Sequence, residues 1–136
     1  KQESMSSIEL RIQTRPENIN QLENYVQEVV TQVGMGSNKF ADILISLTEA
    51  VNNAMIHGNK NCEEKNVLIR CKGQKTGIAF LVKDEGDGFN PSEVPNPTDE
   101  NLLDCCGGRG VYIMTQLADR VKYMDNGTTV EMYFKK

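Results

Sequence analysis

The sequence lacks the features that mark several large classes of protein. No apolar run approaches the roughly 20 residues that a membrane-spanning helix needs, and the 136 residues include one histidine and four cysteines. The cysteines form no Cys-x-x-Cys pair of the kind found in zinc or thioredoxin-like redox sites. We therefore exclude a membrane-spanning protein and expect free thiols at Cys62, Cys71, Cys105 and Cys106.

The chain also lacks an excess of positive charge. Its formal net charge is −4 and its pI is near 5.0, so nothing attracts it generally to phosphate backbones or membrane surfaces, and we expect no nucleic-acid and no membrane partner. The first residues, KQESMSSIEL, contain no apolar signal-peptide core. We therefore expect a cytoplasmic protein. We also expect one domain over residues 1–136, since this length is enough for a single core.

Periodicity predicts eight elements in the order βααββαββ. Apolar residues alternate over the first strand and recur every three or four positions in the helices, and glycines and prolines separate the segments. The predicted strands are 5–14, 66–72, 78–83, 120–123 and 128–134, and the predicted helices are 16–33, 37–59 and about 110–117. This order predicts a two-layer α/β (α+β) sandwich, with a mixed, mainly antiparallel sheet covered on one face by helices.

Polar side chains line one side of the second predicted helix, in the stretch LTEAVNNAMIHGNK. Glu49, Asn53 and His57 recur at i, i+4 and i+8. The opposite side of the helix is apolar (Leu44, Leu47, Val51, Ala54 and Met55). The pattern fits either a solvated polar face or a ligand site, and we expect Gly58 to lie near the end of this helix.

A second polar motif, DEGDG, directly follows the apolar strand IAFLV. Alternating glycines after a strand let the backbone pass close to a flat ligand. A carboxylate at the end of the strand would accept a hydrogen bond from an exocyclic amine of that ligand. Calcium loops and ordinary turns share the Asp-x-Gly-x-Gly spacing. The calcium interpretation is disfavoured because the twelfth-position glutamate is absent and Pro91 interrupts the segment.

Glycines in the stretch CGGRGVYIM run directly into the third predicted helix. Free backbone N–H groups at a helix N-terminus bind anions, and glycine lets phosphate oxygens approach them. The stretch is not a P-loop, because it has no Gly-Lys-Ser/Thr. An ordinary helix-entry turn is the alternative.

The three motifs in this order resemble the N, G1 and G2 boxes of the GHKL ATPases (gyrase, Hsp90, histidine kinase, MutL). The N box corresponds to 49–58, the G1 box to 84–88 and the G2 box to 108–110. Within this superfamily, the short chain and the spellings EAxxNAxxHG and GGRGVYIM most resemble the bacterial anti-sigma factor serine kinases.

The resemblance implies a role for each matching residue. Glu49 would be the catalytic residue that acts as or positions the general base, and Asn53 would hold a Mg²⁺ ion that bridges the ATP phosphates. Asp84 would accept a hydrogen bond from the adenine amino group, helped by a water and by Thr128 at the start of the last strand. The lid would span 89–107, and His57 and Gly58 are at least as well explained by structural roles. The remaining nucleotide-binding residues are Gly86 and Gly88 beside the base, and Gly108, Arg109 and Gly110 beside the phosphates.

The resemblance also implies an activity and partners. The protein would be an ATP- and Mg²⁺-dependent serine/threonine-protein kinase that phosphorylates an anti-anti-sigma (STAS-like) protein, sequesters a sigma factor and forms a homodimer. The alternative is a non-catalytic ATP-binding module that controls a partner. Glu49 favours the enzyme, because a nucleotide sensor needs no base.

Other members of the superfamily fit the sequence less well. A histidine kinase needs a phospho-accepting histidine outside the N box, and His57 is the only histidine. We also expect no transducing domain of the gyrase or Hsp90 kind, since the chain ends two residues after the last predicted strand.

Overall fold

The computed structural model describes residues 8–86 and 108–136. The predicted beginning of the first strand (5–7), the second half of the G1 motif (Asp87 and Gly88) and the predicted lid (89–107) lie outside the described residues. Cys105 and Cys106 belong to that last segment.

Five strands form one sheet in the order β1-β2-β3-β5-β4, and all four neighbouring pairs are antiparallel. This confirms the predicted sandwich with a mainly antiparallel sheet, although the described strands include no parallel pair that would make the sheet mixed. The predicted strand positions agree within about two residues wherever they are described. The strands are β1 (Ile8–Gln13), β2 (Asn66–Gln74), β3 (Gly77–Lys83), β4 (Arg120–Met124) and β5 (Thr129–Lys135).

Three α-helices form the second layer, and short turns of other helix types extend two of them. A 3-10 turn (Pro16–Asn20) leads into α1 (Gln21–Val33), and another (Ser37–Lys39) leads into α2 (Phe40–Asn53). The third helix, α3, covers Gly108–Leu117. Gly34 ends α1 with a φ of 78°, a left-handed conformation that glycine adopts without steric cost. Within the described residues, no helix is both long and apolar enough to cross a bilayer.

The core lies between the helices and one face of the sheet. In α2 the buried residues Ile43, Leu47, Ala50 and Val51 follow helical spacing. The sheet contributes alternate residues of its strands, because successive side chains point to opposite faces. The sheet residues that belong to this core are Ile12, Val67, Ile69, Cys71, Ile78, Phe80, Val82, Val130, Met132 and Phe134.

The opposite face of the sheet carries charged residues. Arg70 on β2 pairs with Glu9 on β1 through an Nε–Oε2 contact of 2.7 Å, and both side chains are about half exposed. A solvated outer face and an apolar inner face are typical of an antiparallel sheet covered on one side.

The second helix does not continue as an α-helix to Asn59, contrary to the sequence prediction. After Asn53 the chain forms a π-helical turn (Ala54–Gly58), in which the Asn59 N–H donates to the Ala54 carbonyl at 2.7 Å. After this turn, the Asn61 N–H donates to the Met55 carbonyl, six residues earlier in the chain, at 2.8 Å. The wider turn shifts all later side chains relative to α-helical register.

Gly58 lies at the end of the π turn, in agreement with its predicted place near the end of the helix, and its φ is not positive. The chain reverses just after it, where Lys60 and Asn61 have positive φ values of 53° and 60°. Glycine is required at position 58 because of a close approach described below.

Phe80 lies at the centre of the core and provides a test of the packing. Its ring makes edge-on contacts with Tyr25 (centroids 6.4 Å apart) and Phe134 (6.0 Å) and is fully buried. We expect Phe80→Ala to lower the free energy of unfolding by about 3–5 kcal/mol, because the cavity removes these contacts. Urea denaturation measures the change.

Leu81 is the matched control, since it neighbours Phe80 on β3 but is only half-buried on the outer face. Leu81→Ala should cost clearly less than Phe80→Ala. Equal losses from the two variants would contradict the assignment of the core to the helix-covered face.

Candidate functional site

The end of α2 holds the first two candidate residues. Glu49 and Asn53 are both half-buried and lie four residues apart, about 6 Å along the helix axis and on one face. Asn53 is the last residue of α2. His57 lies in the π turn and is exposed, so it does not continue the Glu49–Asn53 row in the predicted α-helical register.

Asp84 follows the last residue of β3 and is 7% exposed. Its N–H donates to the Thr128 carbonyl at 2.9 Å, and its Oδ1 accepts the Gly86 N–H at 2.8 Å. Val82 is buried beneath the helices, so the alternation of side chains along β3 places Asp84 on the same helix-covered side.

Thr128 lies in the turn before β5 and not at the start of the strand, contrary to the prediction. Its Oγ1 donates to the Asp125 carbonyl at 2.8 Å, which fixes the side chain at the end of the 3-10 turn Asp125–Gly127. The hydroxyl oxygen retains its capacity to accept a hydrogen bond. The structure therefore places Thr128 beside Asp84 through the backbone of the turn.

The end of α2 and the turn after β3 meet at two glycines. A side chain at Gly58 would collide with the carboxylate of Asp84, and a side chain at Gly86 would collide with the carbonyl oxygen of Gly58. Neither glycine has a positive φ. Both are required because the two backbone segments approach more closely than any Cβ atom allows.

Burial controls the charge state of Asp84. Removal of the carboxyl from water raises its pKa above the ordinary value, and the Gly86 N–H and the positive charge of Lys65 oppose this rise. The site therefore has a desolvated acceptor whose one observed partner, within the described residues, is a backbone N–H two positions away. Such an acceptor suits an N–H donor of a flat ligand.

Asn59 is a member of the site that the sequence analysis missed. It is 1% exposed. Its side-chain amide donates hydrogen bonds to the Thr14 hydroxyl and the Asn66 carbonyl and accepts one from the Glu85 N–H. An asparagine just after a helix is usually read as part of a turn. Only its surroundings in the folded chain distinguish it from a surface residue.

The G2 motif forms the first turn of α3, which begins at Gly108, two residues earlier than predicted. The first N–H groups of a helix have no partner within it, so the backbone of Gly108, Arg109 and Gly110 offers donors to an anion. The helix packs on α2, with Met114 buried in the core. Gly88 and the Arg109 side chain lie outside what the structure describes.

Asn53 fits a magnesium ion that is completed by phosphates and water. In the described ranges, no three His, Cys, Asp or Glu side chains form a group that would hold a metal ion. Mg²⁺ accepts amide oxygens and usually keeps several waters, and it is often held by one or two protein ligands together with substrate phosphates. The half-buried amide at the end of α2 has the right chemistry for this arrangement.

The fold and the three motifs define an ATP-binding domain of the histidine kinase-like type. The family model of the histidine kinase-like ATPase domain matches residues 12–134, and the chain belongs to this family.

The similar proteins include bacterial serine kinases. The chain is 28% identical to the serine-protein kinase RsbW of Bacillus subtilis over 134 residues, which cover 92% of this chain and 82% of the relative. It is 29% identical to the serine-protein kinase RsbW of Staphylococcus aureus strain JH9 over 141 residues, covering 95% and 87%. The predicted resemblance to this superfamily and to its bacterial serine kinases is confirmed.

Gly58→Ala tests the close approach of the two segments. We expect a loss of about 1–3 kcal/mol in the free energy of unfolding, because the added methyl group must displace the buried Asp84 carboxylate. Gly36→Ala is the control, since the atom that it meets is the end of the exposed Asn38 side chain. Thermal denaturation that shows the same stability for Gly58→Ala and the wild type would refute the collision.

Asp84→Asn tests the electrostatic cost of the buried carboxylate. Because the folded-state pKa is raised, the ionised side chain destabilises the fold, and wild-type stability should fall as the pH rises through that pKa. We therefore expect Asp84→Asn to be more stable by about 1 kcal/mol at pH 7, a typical gain at a strained functional position. The gain should disappear at low pH, where Asp84 is protonated in both states.

Asp119→Asn is the matched control, since Asp119 is exposed and its carboxylate also accepts a backbone N–H, that of Lys135, at 2.7 Å. It should bring no gain at either pH. Urea denaturation at several pH values measures both variants, and a pH-independent difference between Asp84→Asn and the wild type would argue against a buried charge.

Proposed function

We propose that the chain is a single ATPase domain that acts as an ATP-dependent protein-serine/threonine kinase and anti-sigma factor. It phosphorylates an anti-anti-sigma (STAS-like) protein and sequesters a sigma factor. The observation that carries the catalytic part is the pairing of Glu49 and Asn53, both half-buried, on one face of α2 directly before the turn that contacts Asp84.

Asp84 and its neighbours form the adenine site in this proposal. The buried carboxylate accepts a hydrogen bond from the exocyclic amine of adenine, helped by a water and by Thr128, whose carbonyl lies beside it. Gly86 and Gly88 leave room for the flat base against the backbone. A purine with a carbonyl in place of the amine would bring an acceptor against an acceptor, and the site would reject it.

The phosphates lie between the ends of two helices. The N–H groups of Gly108, Arg109 and Gly110 at the start of α3 donate to phosphate oxygens, and the charge of Arg109 adds to the attraction. Asn53 would hold Mg²⁺, which supplies charge neutralisation at the phosphates when it is bound. The packing of α3 on α2 brings the two motifs into one layer.

Glu49 acts as the general base on the partner's serine. Its carboxylate takes the hydroxyl proton while the serine oxygen forms a bond to the γ-phosphorus, and the bond from that phosphorus to the bridging oxygen of ADP breaks. The products are phosphoserine, ADP and a protonated Glu49, which returns its proton to water. Positioning supplies most of the rate in such transfers, which suits a base fixed in a packed helix.

The similarity to RsbW supports a protein substrate, since both relatives are named as serine-protein kinases. The anti-sigma role, the sigma factor and the homodimer follow from the resemblance of the N and G2 motifs. We place the protein in the cytoplasm, where ATP and these partners are found.

Transfer of the γ-phosphate is the decisive test. Wild-type protein, γ-labelled ATP and Mg²⁺ are incubated with a purified anti-anti-sigma protein, and phosphoserine is followed in a single turnover. Glu49→Gln keeps the shape of the side chain but cannot accept the proton, so ADP affinity by calorimetry should persist while transfer slows by about 10²–10⁴-fold. Asn53→Ala should reduce both Mg²⁺-dependent nucleotide binding and transfer.

Glu23→Gln is the matched control, because Glu23 is exposed on α1 and belongs to none of the three motifs. It should leave both binding and transfer unchanged. Transfer at the wild-type rate by Glu49→Gln would remove the base assignment. Nucleotide binding without transfer to any cognate partner would favour the alternative, a non-catalytic ATP-binding regulatory module.

A further inference from the structure

The buried amide of Asn59 has no part in the chemistry described so far. We infer that Asn59 is a positioning residue that fixes the Asp84–Gly86 turn and thereby sets the selectivity of the site for adenine. This inference rests on the proposed function, since it concerns the same nucleotide site.

The Asn59 side chain joins three separate segments of the chain. Its Nδ2 donates to Thr14 Oγ1 at 2.9 Å and to the Asn66 carbonyl at 3.1 Å, and its Oδ1 accepts the Glu85 N–H at 2.7 Å. These bonds use both donors and the acceptor of the amide. The side chain is 1% exposed, its bond to Thr14 is buried, and its bonds to Asn66 and Glu85 are partly buried, so leaving the amide or its partners without hydrogen bonds is costly.

Glu85 closes the arrangement into a ring. Its Oε2 accepts the Asn66 N–H at 2.5 Å, while its own N–H donates to Asn59. The turn after β3 is therefore attached to the start of β2 both directly and through Asn59. Asp84 and Gly86 flank Glu85, so holding the backbone at Glu85 holds the carboxylate that faces the adenine.

Only an amide of this length satisfies the site. Aspartate lacks the two donors, and alanine leaves the Glu85 N–H and the Asn66 carbonyl without partners. The backbone at Asn59 is constrained as well, because the preceding residue, Gly58, lies against both Asp84 and Gly86. Gly58 thus allows the end of the π turn to approach the turn after β3 closely, and Asn59 holds the backbone of that second turn by its hydrogen bond to the Glu85 N–H.

A positioning role predicts a loss of selectivity as well as of affinity. If the turn shifts, the hydrogen bond from the exocyclic amine of adenine to the Asp84 carboxylate loses its geometry, whereas the contacts to the phosphates are unaffected. We expect Asn59→Ala to weaken ADP binding by about 10-fold, equivalent to one well-formed hydrogen bond. GDP binding should change much less, so that the ratio of the two affinities falls.

Thr14→Ala is the matched control. Thr14 is 3% exposed and belongs to the same hydrogen-bond network, but it contacts the far side of the Asn59 amide and the Lys65 carbonyl at 2.7 Å, away from the turn. Its loss should lower thermal stability to a similar degree while the ratio of ADP to GDP affinity stays at the wild-type value. If Asn59 had only a structural role, Asn59→Ala would likewise lower thermal stability and leave the ratio of ADP to GDP affinity unchanged.

The experiment combines calorimetry of ADP and GDP with hydrogen exchange of the Glu85 and Gly86 amides in the nucleotide-free protein. Support requires a lower ADP-to-GDP affinity ratio and faster exchange at both amides in Asn59→Ala but not in Thr14→Ala. An unchanged ratio in folded Asn59→Ala, or an equal fall in both variants, would overturn the inference.

Two further arms cover the remaining outcomes. Should Asn59→Ala fail to fold, Glu85→Ala opens the ring from its exposed side, and the same readouts decide; the affinity ratio cancels the effect of the removed charge. Should the wild type bind no nucleotide, the proposed function fails by itself. The exchange of the Glu85 and Gly86 amides then shows separately whether Asn59 holds the turn, and unchanged exchange in Asn59→Ala overturns the inference.

Discussion

The site depends on one close contact, between the π turn that ends α2 and the turn that follows β3. Gly58 lies against the Asp84 carboxylate, and its carbonyl oxygen lies against Gly86. This contact is possible only where neither segment carries a Cβ atom. It brings the helix with Glu49 and Asn53 to the buried carboxylate, so that the two halves of the proposed nucleotide site share one fixed geometry.

The sheet topology supplies the other side of the site. Because β5 lies between β3 and β4, the turn before β5 comes beside the residue that follows β3, and the Asp84 N–H reaches the Thr128 carbonyl at 2.9 Å. The two central strands bury Phe80 and Phe134 beneath the helices. A rigid central pair therefore holds the carboxylate, which is how preorganised acceptors retain their direction.

In the proposed adenine site, burial would give Asp84 both its selectivity for the ligand and its energetic cost. The desolvated carboxylate has a raised pKa, so its ionised form is disfavoured in the folded chain. The same desolvation makes an unmatched ligand group expensive, which is the physical basis of discrimination between purines. In our proposal, Asn59 holds this carboxylate in place through the backbone of Glu85 and Gly58 does so by lying against it, and neither needs to contact the nucleotide.

The sequence by itself determined the order and type of the elements, because helical and strand periodicities are local properties of the chain. It also determined the pairing of Glu49 with Asn53, which one helical turn guarantees. The tertiary structure alone decided the π turn after Asn53, the reason for glycine at position 58 and the burial of the Asn59 amide among its hydrogen-bond partners. Two of the partners of Asn59, Thr14 and Glu85, are 45 and 26 residues from it along the chain, and no local pattern specifies which distant backbone will approach a buried amide.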